Sequence, residues 1–239
     1  MPLLIELGRV EYETGLKLQK EIWQKRVQGQ IEDSLILLEH QPVITIGRRA
    51  DKRNLLTSES ELVRQGIRIY QVERGGDITY HGPGQLVGYP IFHLKAGLIG
   101  VKSFVENIEK ALIQALRVFD IDASVQPKLI GVWAGGKKIA SIGVAIKEGV
   151  SMHGFALNVK ADLRGFNLIN PCGLSADQMT SMEGVLPGQK ITMPEVRSAV
   201  ISGFEQVFGF VFQKNLPRSL TSLTNLVSSE RISSASCSR

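Results

Sequence analysis

KKIASIGVAIKEGVSMHGFALNV, residues 137–159, reads as two β-rich runs joined by a short loop through Lys147, Glu148 and Gly149, and therefore as an antiparallel hairpin. A period of two along the first run groups Lys138 with Ala140, Ile142, Val144 and Ile146, and leaves Ser141, Gly143 and Ala145 on the other face. The second run adds Gly154, Ala156 and Asn158, again small. Neighbouring strands without bulk either admit a closely packed helix, the commoner case, or line a slot for something narrow and apolar. A lysine on a mostly apolar face is rarely left without a partner unless the strand opens into a cleft.

Working outward, IRIYQVE reads as a strand that delivers RGGDITYHGPGQ, residues 74–85, in which four glycines and a proline surround one of the four histidines. Glycine carries a high entropic cost, so such a run is kept where backbone bends sharply or lies against a ligand. QLVGYPIFHL follows as a strand. Phe104, Ile108, Leu112, Ala115 and Phe119 then recur at helical spacing, marking an amphipathic helix whose apolar face covers the sheet. Toward the start, LLIEL is a strand, residues 11–26 a helix, and SLILLEH and PVITIG two strands split by a turn at Gln41 and Pro42. Thr192 and Glu195 form a capping box opening a helix that turns Val196, Val200, Phe204 and Val207 inward. The irregular alternation indicates an α/β protein, more closely an α+β mixed sheet flanked by helices. Residues 1–216 are expected to form one domain. The serine-rich 217–239 segment, with Cys237 as an incidental thiol, is expected to be a weakly ordered tail.

At 239 residues and 43% hydrophobic, the chain is long enough for one substantial core. No apolar run approaches the ~20 residues of a membrane-spanning helix, and no basic leader precedes an apolar stretch, so a soluble, cytoplasmic protein is expected; a monomer is expected as well. Two cysteines make neither a disulfide framework nor a four-ligand zinc site. The formal charge of +5 is dispersed except in GRRADKR, where Arg48, Arg49, Lys52 and Arg53 cluster. The bland reading is a solvated loop. The sharper one is a landing site for an acidic protein, ranked above nucleic acid because aromatics make up only 6% of the chain and no nucleic-acid module is present.

Cys172 lies in INPCGL, where proline and glycine place it on a bend. Taken alone, an unpaired cysteine is more often a small buried hydrophobe than a nucleophile. His81 reads as a general base, a positioning donor or a loop residue held by hydrogen bonds. Arg74 and Asp77 read as an ion pair that pins the turn, leaving backbone N–H groups free to face a ligand oxygen. Neither phosphate-binding glycine fingerprint occurs in this segment.

Taken together, RGGDITYHGPGQ, GGKKIASIG, HGFALNV and NPCG resemble the lipoyl(octanoyl) transferase family of lipoate biosynthesis, in that family's order and over nearly the whole chain before the tail. The resemblance implies a fold like the catalytic domains of biotin protein ligase and lipoate-protein ligase. It implies transfer of an octanoyl group from octanoyl-acyl carrier protein to a lysine of the lipoyl domains of 2-oxoacid dehydrogenases or of the glycine-cleavage carrier protein, with no cofactor and no metal. Cys172 carries the acyl thioester in that scheme, and Lys138 lowers the thiol pKa. Arg74, Gly75, Gly76, Asp77, Ile78, Thr79, Tyr80 and His81, then Ser141, Ile142 and Gly143, then Gly154, Phe155 and Ala156, match its substrate-binding segments. A dry slot for about six methylenes gains roughly 5 kcal/mol, enough to select chain length. GRRADKR then becomes a docking patch for the acidic carrier. The alternatives are an ATP-dependent lipoate-protein ligase of the same fold, a non-catalytic acyl-binding protein, and a thiol hydrolase using Cys172 with His81 or His153.

Overall fold

The computed structural model describes residues 1–94, 100–214 and 220. The expected serine-rich tail and Cys237 lie outside the described residues, Leu220 excepted. In chain order the elements are β1 (Leu3–Val10), α1 (Tyr12–Val27), β2 (Ser34–His40), β3 (Val43–Ile46), α2 (Glu59–Arg64), β4 (Arg68–Gln71), β5 (Ile78–His81), β6 (Gln85–Ile91), α3 (Val101–Arg117), β7 (Ala123–Gln126), β8 (Leu129–Ala134), β9 (Lys137–Lys147) and β10 (Val150–Asn158). Three short 3-10 segments, Leu163–Leu168, Pro171–Gly173 and Ala176–Gln178, lead to α4 (Met182–Val185) and α5 (Met193–Phe208).

A mixed seven-stranded sheet runs β1-β2-β6-β10-β9-β8-β7, and a small sheet runs β4-β3-β5. Strand alternation decides which core each residue joins. In β2, Leu35 and Leu37 pack toward Phe104, Ile108, Leu112, Val200 and Phe204 of α3 and α5, while Ile36 and Leu38 pack toward Leu18 and Ile22 of α1. The large sheet is thus covered by helices on both faces. Capping holds α5 in place: Thr192 Oγ1 accepts from the Glu195 N–H and Glu195 Oε2 accepts from the Thr192 N–H, the reciprocal pair expected from T-x-x-E.

The hairpin forms as read. Gly154 faces Gly143 and Ala156 faces Ser141 across β9 and β10, and the turn is two residues, Glu148 and Gly149, both at positive φ. SLILLEH and PVITIG form two strands as read, β2 and β3, and the chain crosses from the large sheet to the small one at Gln41–Pro42. The glycine segment also contains a strand, β5, which pairs antiparallel with β3 and places His81 opposite Val43. β7 and β8 extend the large sheet beyond the hairpin and were not expected from the sequence. Among the described residues no helix is long and apolar enough to cross a membrane.

Candidate active site

Cys172 occupies the middle of the Pro171–Gly173 turn at φ 55° and ψ 37°, a left-handed conformation that costs a non-glycine residue of order 1–3 kcal/mol. Its surroundings fix that strain. Pro171 is buried, the Leu174 N–H donates to the Pro171 carbonyl, and the Asn170 N–H donates to the Asn54 carbonyl at 2.8 Å. The turn packs against β5, and the Cys172 side chain is exposed, so the thiol is presented rather than buried.

Lys138 approaches from β9 and is buried, 5% exposed, with its ammonium 5.8 Å from the centre of the Trp133 ring. Burial lowers its pKa, while an ionised Cys172 and the Glu109 carboxylate favour its charged form. Two residues that sequence reasoning passed over shape this seat. Gly131, at φ 132°, leaves the space that the Lys138 chain occupies: a Cβ there would lie 2.5 Å from Lys138 Cε. Glu109 on α3 accepts from the Gly131 N–H at 2.9 Å. A glycine inside a strand signals close approach of another group, and that was the available clue.

Cys172 and Lys138 border one cavity of about 740 Å³. Of the expected substrate-binding residues, Arg74, Gly75, Gly76, Thr79, His81, Ser141, Ile142, Gly143, Gly154, Phe155 and Ala156 also border it. Asp77, Ile78 and Tyr80 of the same expected segment do not border it. Alternation in β5 sends Ile78 and Tyr80 into a separate core with Phe166 and Ile169, while Thr79 and His81 face the cavity. Asp77 instead accepts from the backbone N–H groups of Asp51 and Ile78 and from Asn54 Nδ2.

The expected Arg74–Asp77 ion pair is corrected. Arg74 donates to the Thr45 carbonyl at 2.8 Å, to Thr45 Oγ1 at 2.9 Å and to the Gly75 carbonyl, because its guanidinium is buried beside β3 and Asp77 is held by the 51–54 turn. The 74–77 loop crosses the hairpin, with the Gly75 N–H on the Val144 carbonyl. The Arg48 and Arg49 N–H groups donate to the Arg74 and Gly76 carbonyls, which brings both arginines to the cavity mouth with their side chains exposed. Arg53, by contrast, is tied to Asp51.

Beneath the glycine loop lies an aromatic cluster. Tyr12 stacks on His81 at 6.4 Å and contacts His40 at 5.0 Å, and His40 contacts Tyr89 at 6.0 Å. Burial holds the histidines neutral: His81 is pushed down to about 3, and His40 and His153 to about 4. His153 lies 3.6 Å from Glu73. Tyr12 and Tyr89 were not anticipated as cavity residues, although Tyr89 sits two positions after Val87 on a strand beside β10, where alternation points it to the same side.

The family model for the lipoyl protein ligase A/B catalytic domain matches residues 11–205. The octanoyltransferase of Alkaliphilus metalliredigens is 48% identical over 208 residues, covering 87% of this chain and 95% of that one. That of Caldicellulosiruptor bescii is 47% identical over 205 residues, covering 85% and 90%. Among solved structures, a bipartite lipoate protein ligase of Thermoplasma acidophilum superposes with a TM-score of 0.74 at 18% identity, covering 96% of this chain and 92% of that one. A biotin protein ligase of Aquifex aeolicus superposes with a TM-score of 0.53 at 14% identity, covering 87% and 70%. An extensive sequence match and a shared mixed-sheet architecture thus agree, and the chain belongs to the lipoyl protein ligase A/B catalytic-domain family.

Proposed function

We propose that this protein transfers an octanoyl group from an acyl carrier protein to a lysine of lipoyl domains, through a thioester on Cys172. The observation that carries the reading is that an exposed thiol on a strained turn and a buried lysine border the same cavity, beside the small-residue stretch Ser141–Gly143 and Gly154–Ala156. Identity of 47–48% to octanoyltransferases over most of the chain supports the acyl group and the reaction class.

The chemistry needs two exchanges at one carbonyl carbon. A nearby cation favours the thiolate, which attacks the carrier's thioester. The carrier's sulfur leaves and takes a proton, and Cys172 holds the acyl group. The acceptor lysine amine then attacks the same carbon, the Cys172 sulfur leaves, and one amine proton returns to it. Lys138, with a basicity lowered by burial, takes the Cys172 proton and gives it to the carrier's sulfur in the first step, then takes one amine proton and gives it to the Cys172 sulfur in the second. His81, at about 3, is too weak a base near neutral pH for the task. The first exchange trades one thioester for another and the second makes an amide, so ATP is not required.

Mass spectrometry after mixing with octanoyl-acyl carrier protein should show an octanoyl adduct that maps to Cys172 and vanishes in Cys172→Ala. An adduct elsewhere, or none, rejects the Cys172 thioester, and turnover only with ATP and free octanoate favours a ligase.

A further inference from the structure

Behind the cavity wall runs a chain of buried amides whose orientation is fixed from one end. The Thr180 carbonyl can only accept, so Asn158 must turn its Nδ2 toward it at 2.9 Å and its Oδ1 toward Gln85. Gln85 then directs Nε2 to Asn158 Oδ1 at 2.9 Å and toward the Tyr80 carbonyl, leaving Oε1 against His81 Nδ1 at 2.7 Å. His81 Nδ1 therefore carries the proton. Neutral His81 is left with a bare Nε2, and the ring borders the cavity.

A second relay gives the same outcome at Tyr89. His40 Nδ1 lies 3.1 Å from the Val10 carbonyl, so that nitrogen donates and Nε2 is bare. Tyr89 must spend its only proton on His40 Nε2, at 2.6 Å. The Tyr89 oxygen keeps two acceptor lone pairs; the buried Gln19 amide beside it can take one, the other is left for a further donor, and Tyr89 too borders the cavity. His81 and Tyr89 both flank His40, with ring centres 6.1 and 6.0 Å from it.

The cavity is otherwise poor in partners for a cation. Arg48, Arg49, Arg74, Lys128 and Lys138 border it, and among the described residues no aspartate or glutamate does. Such a field disfavours an ammonium and favours a neutral amine. A neutral primary amine has two N–H donors and one lone pair.

We infer that His81 Nε2 and Tyr89 Oη form the seat of the acceptor lysine, each accepting one N–H while the amine's lone pair points at the thioester on Cys172. The inference rests on the transferase reading above. It assigns a difference between the two half-reactions: the seat serves an amine nucleophile and is idle when the nucleophile is a thiol.

The test isolates the acylated enzyme. Octanoyl-Cys172 protein is freed of donor and chased in parallel with a lipoyl domain and with pantetheine, for the unaltered protein, Tyr89→Phe and His81→Ala. In each variant, transfer to the lipoyl-domain lysine should fall about tenfold further than transfer to pantetheine, the loss expected for one hydrogen bond. Unchanged transfer to the lysine in both variants overturns the inference, as does an equal loss in both chases, which marks a structural role. Tyr89→Phe keeps the ring and so preserves packing should His81→Ala prove poorly folded. If the unaltered protein never accumulates an adduct on Cys172, the transferase reading itself fails, an outcome distinct from an adduct whose release to lysine ignores both variants.

Discussion

Gly131→Ala tests whether the seat of Lys138 controls acylation. Gly131 has φ 132°, a region costly to any residue with a side chain, of order 1–3 kcal/mol. Its new Cβ would also stand 2.5 Å from the Ala140 carbonyl oxygen and 2.5 Å from Lys138 Cε, where ordinary contact begins at 3.4 Å. Overpacking of that kind costs about 1–3 kcal/mol, so the combined loss is roughly 2–6 kcal/mol. The lysine can relieve its share of the collision only by moving on the order of 1 Å, a displacement that costs about a hundredfold in rate where geometry is critical. Gly135→Ala is the control: Gly135 also has positive φ, 57°, but no atom lies within 4 Å of its would-be Cβ. It should lose about 1 kcal/mol and none of the rate. Urea unfolding and the single-turnover rate of adduct formation on Cys172 measure both quantities. Native acylation by a folded Gly131→Ala protein, or an equal loss of rate in the two variants, refutes the role given to this contact.

Other consequences follow from the same geometry. Glu109→Gln removes an anion that favours the charged form of Lys138, so the ammonium is lost at lower pH and the alkaline limb of adduct formation should shift downward; an unshifted limb argues that the carboxylate only holds Gly131. His40, His81 and His153 have folded pKa values of about 4, 3 and 4, below the ordinary 6.5. The unfolded chain therefore binds more protons between these values, and stability should be complete above about pH 6.5 and fall as pH drops toward 4. The slope has an upper bound of about 4 kcal/mol per pH unit, and a urea midpoint that is flat from pH 6.5 to 4.5 contradicts it. Arg48→Glu with Arg49→Glu reverses two exposed charges at the cavity mouth, so carrier binding should weaken strongly at low salt and little at high salt; unchanged affinity at low salt rejects docking there.

What was legible in the sequence is what depends on near neighbours. Two β-rich runs joined through Lys147, Glu148 and Gly149 led to a hairpin whose register sets Gly154 against Gly143, and a four-residue capping pattern marked the start of α5. Placing PVITIG in a second sheet was not legible, because its apolar pattern satisfies a pairing in either sheet and the choice is made by β4 and β5. Asp77, Ile78 and Tyr80 were grouped with the substrate-binding residues because the family resemblance matches Arg74 to His81 as one segment. Four residues of extended backbone, Ile78 to His81, are enough to impose alternation and send half of them to another core.

The same reasoning explains why the polarity of His81 lies beyond motif reading. A histidine beside glycines can donate or accept at either nitrogen, and local sequence does not choose. Here the choice is made at Thr180, 99 positions away, whose carbonyl turns Asn158, which turns Gln85, whose Oε1 accepts from His81 and so keeps the ring proton on Nδ1. Replacing Asn158 by Leu puts that to a direct test. Leucine removes the acceptor that holds Gln85 Nε2, leaving it only the 3.4 Å approach to the Tyr80 carbonyl. Gln85 then becomes free to present Nε2 to His81, which allows the ring proton to move to Nε2 and converts the cavity-facing atom from acceptor to donor. Asn158→Asp is the control, because a carboxylate still accepts from Gln85 Nε2 and keeps the Nδ1–H form. Nitrogen-15 shifts of the His81 ring distinguish the two tautomers, and an unchanged Nδ1–H form in a folded Asn158→Leu protein would show that the relay does not set it.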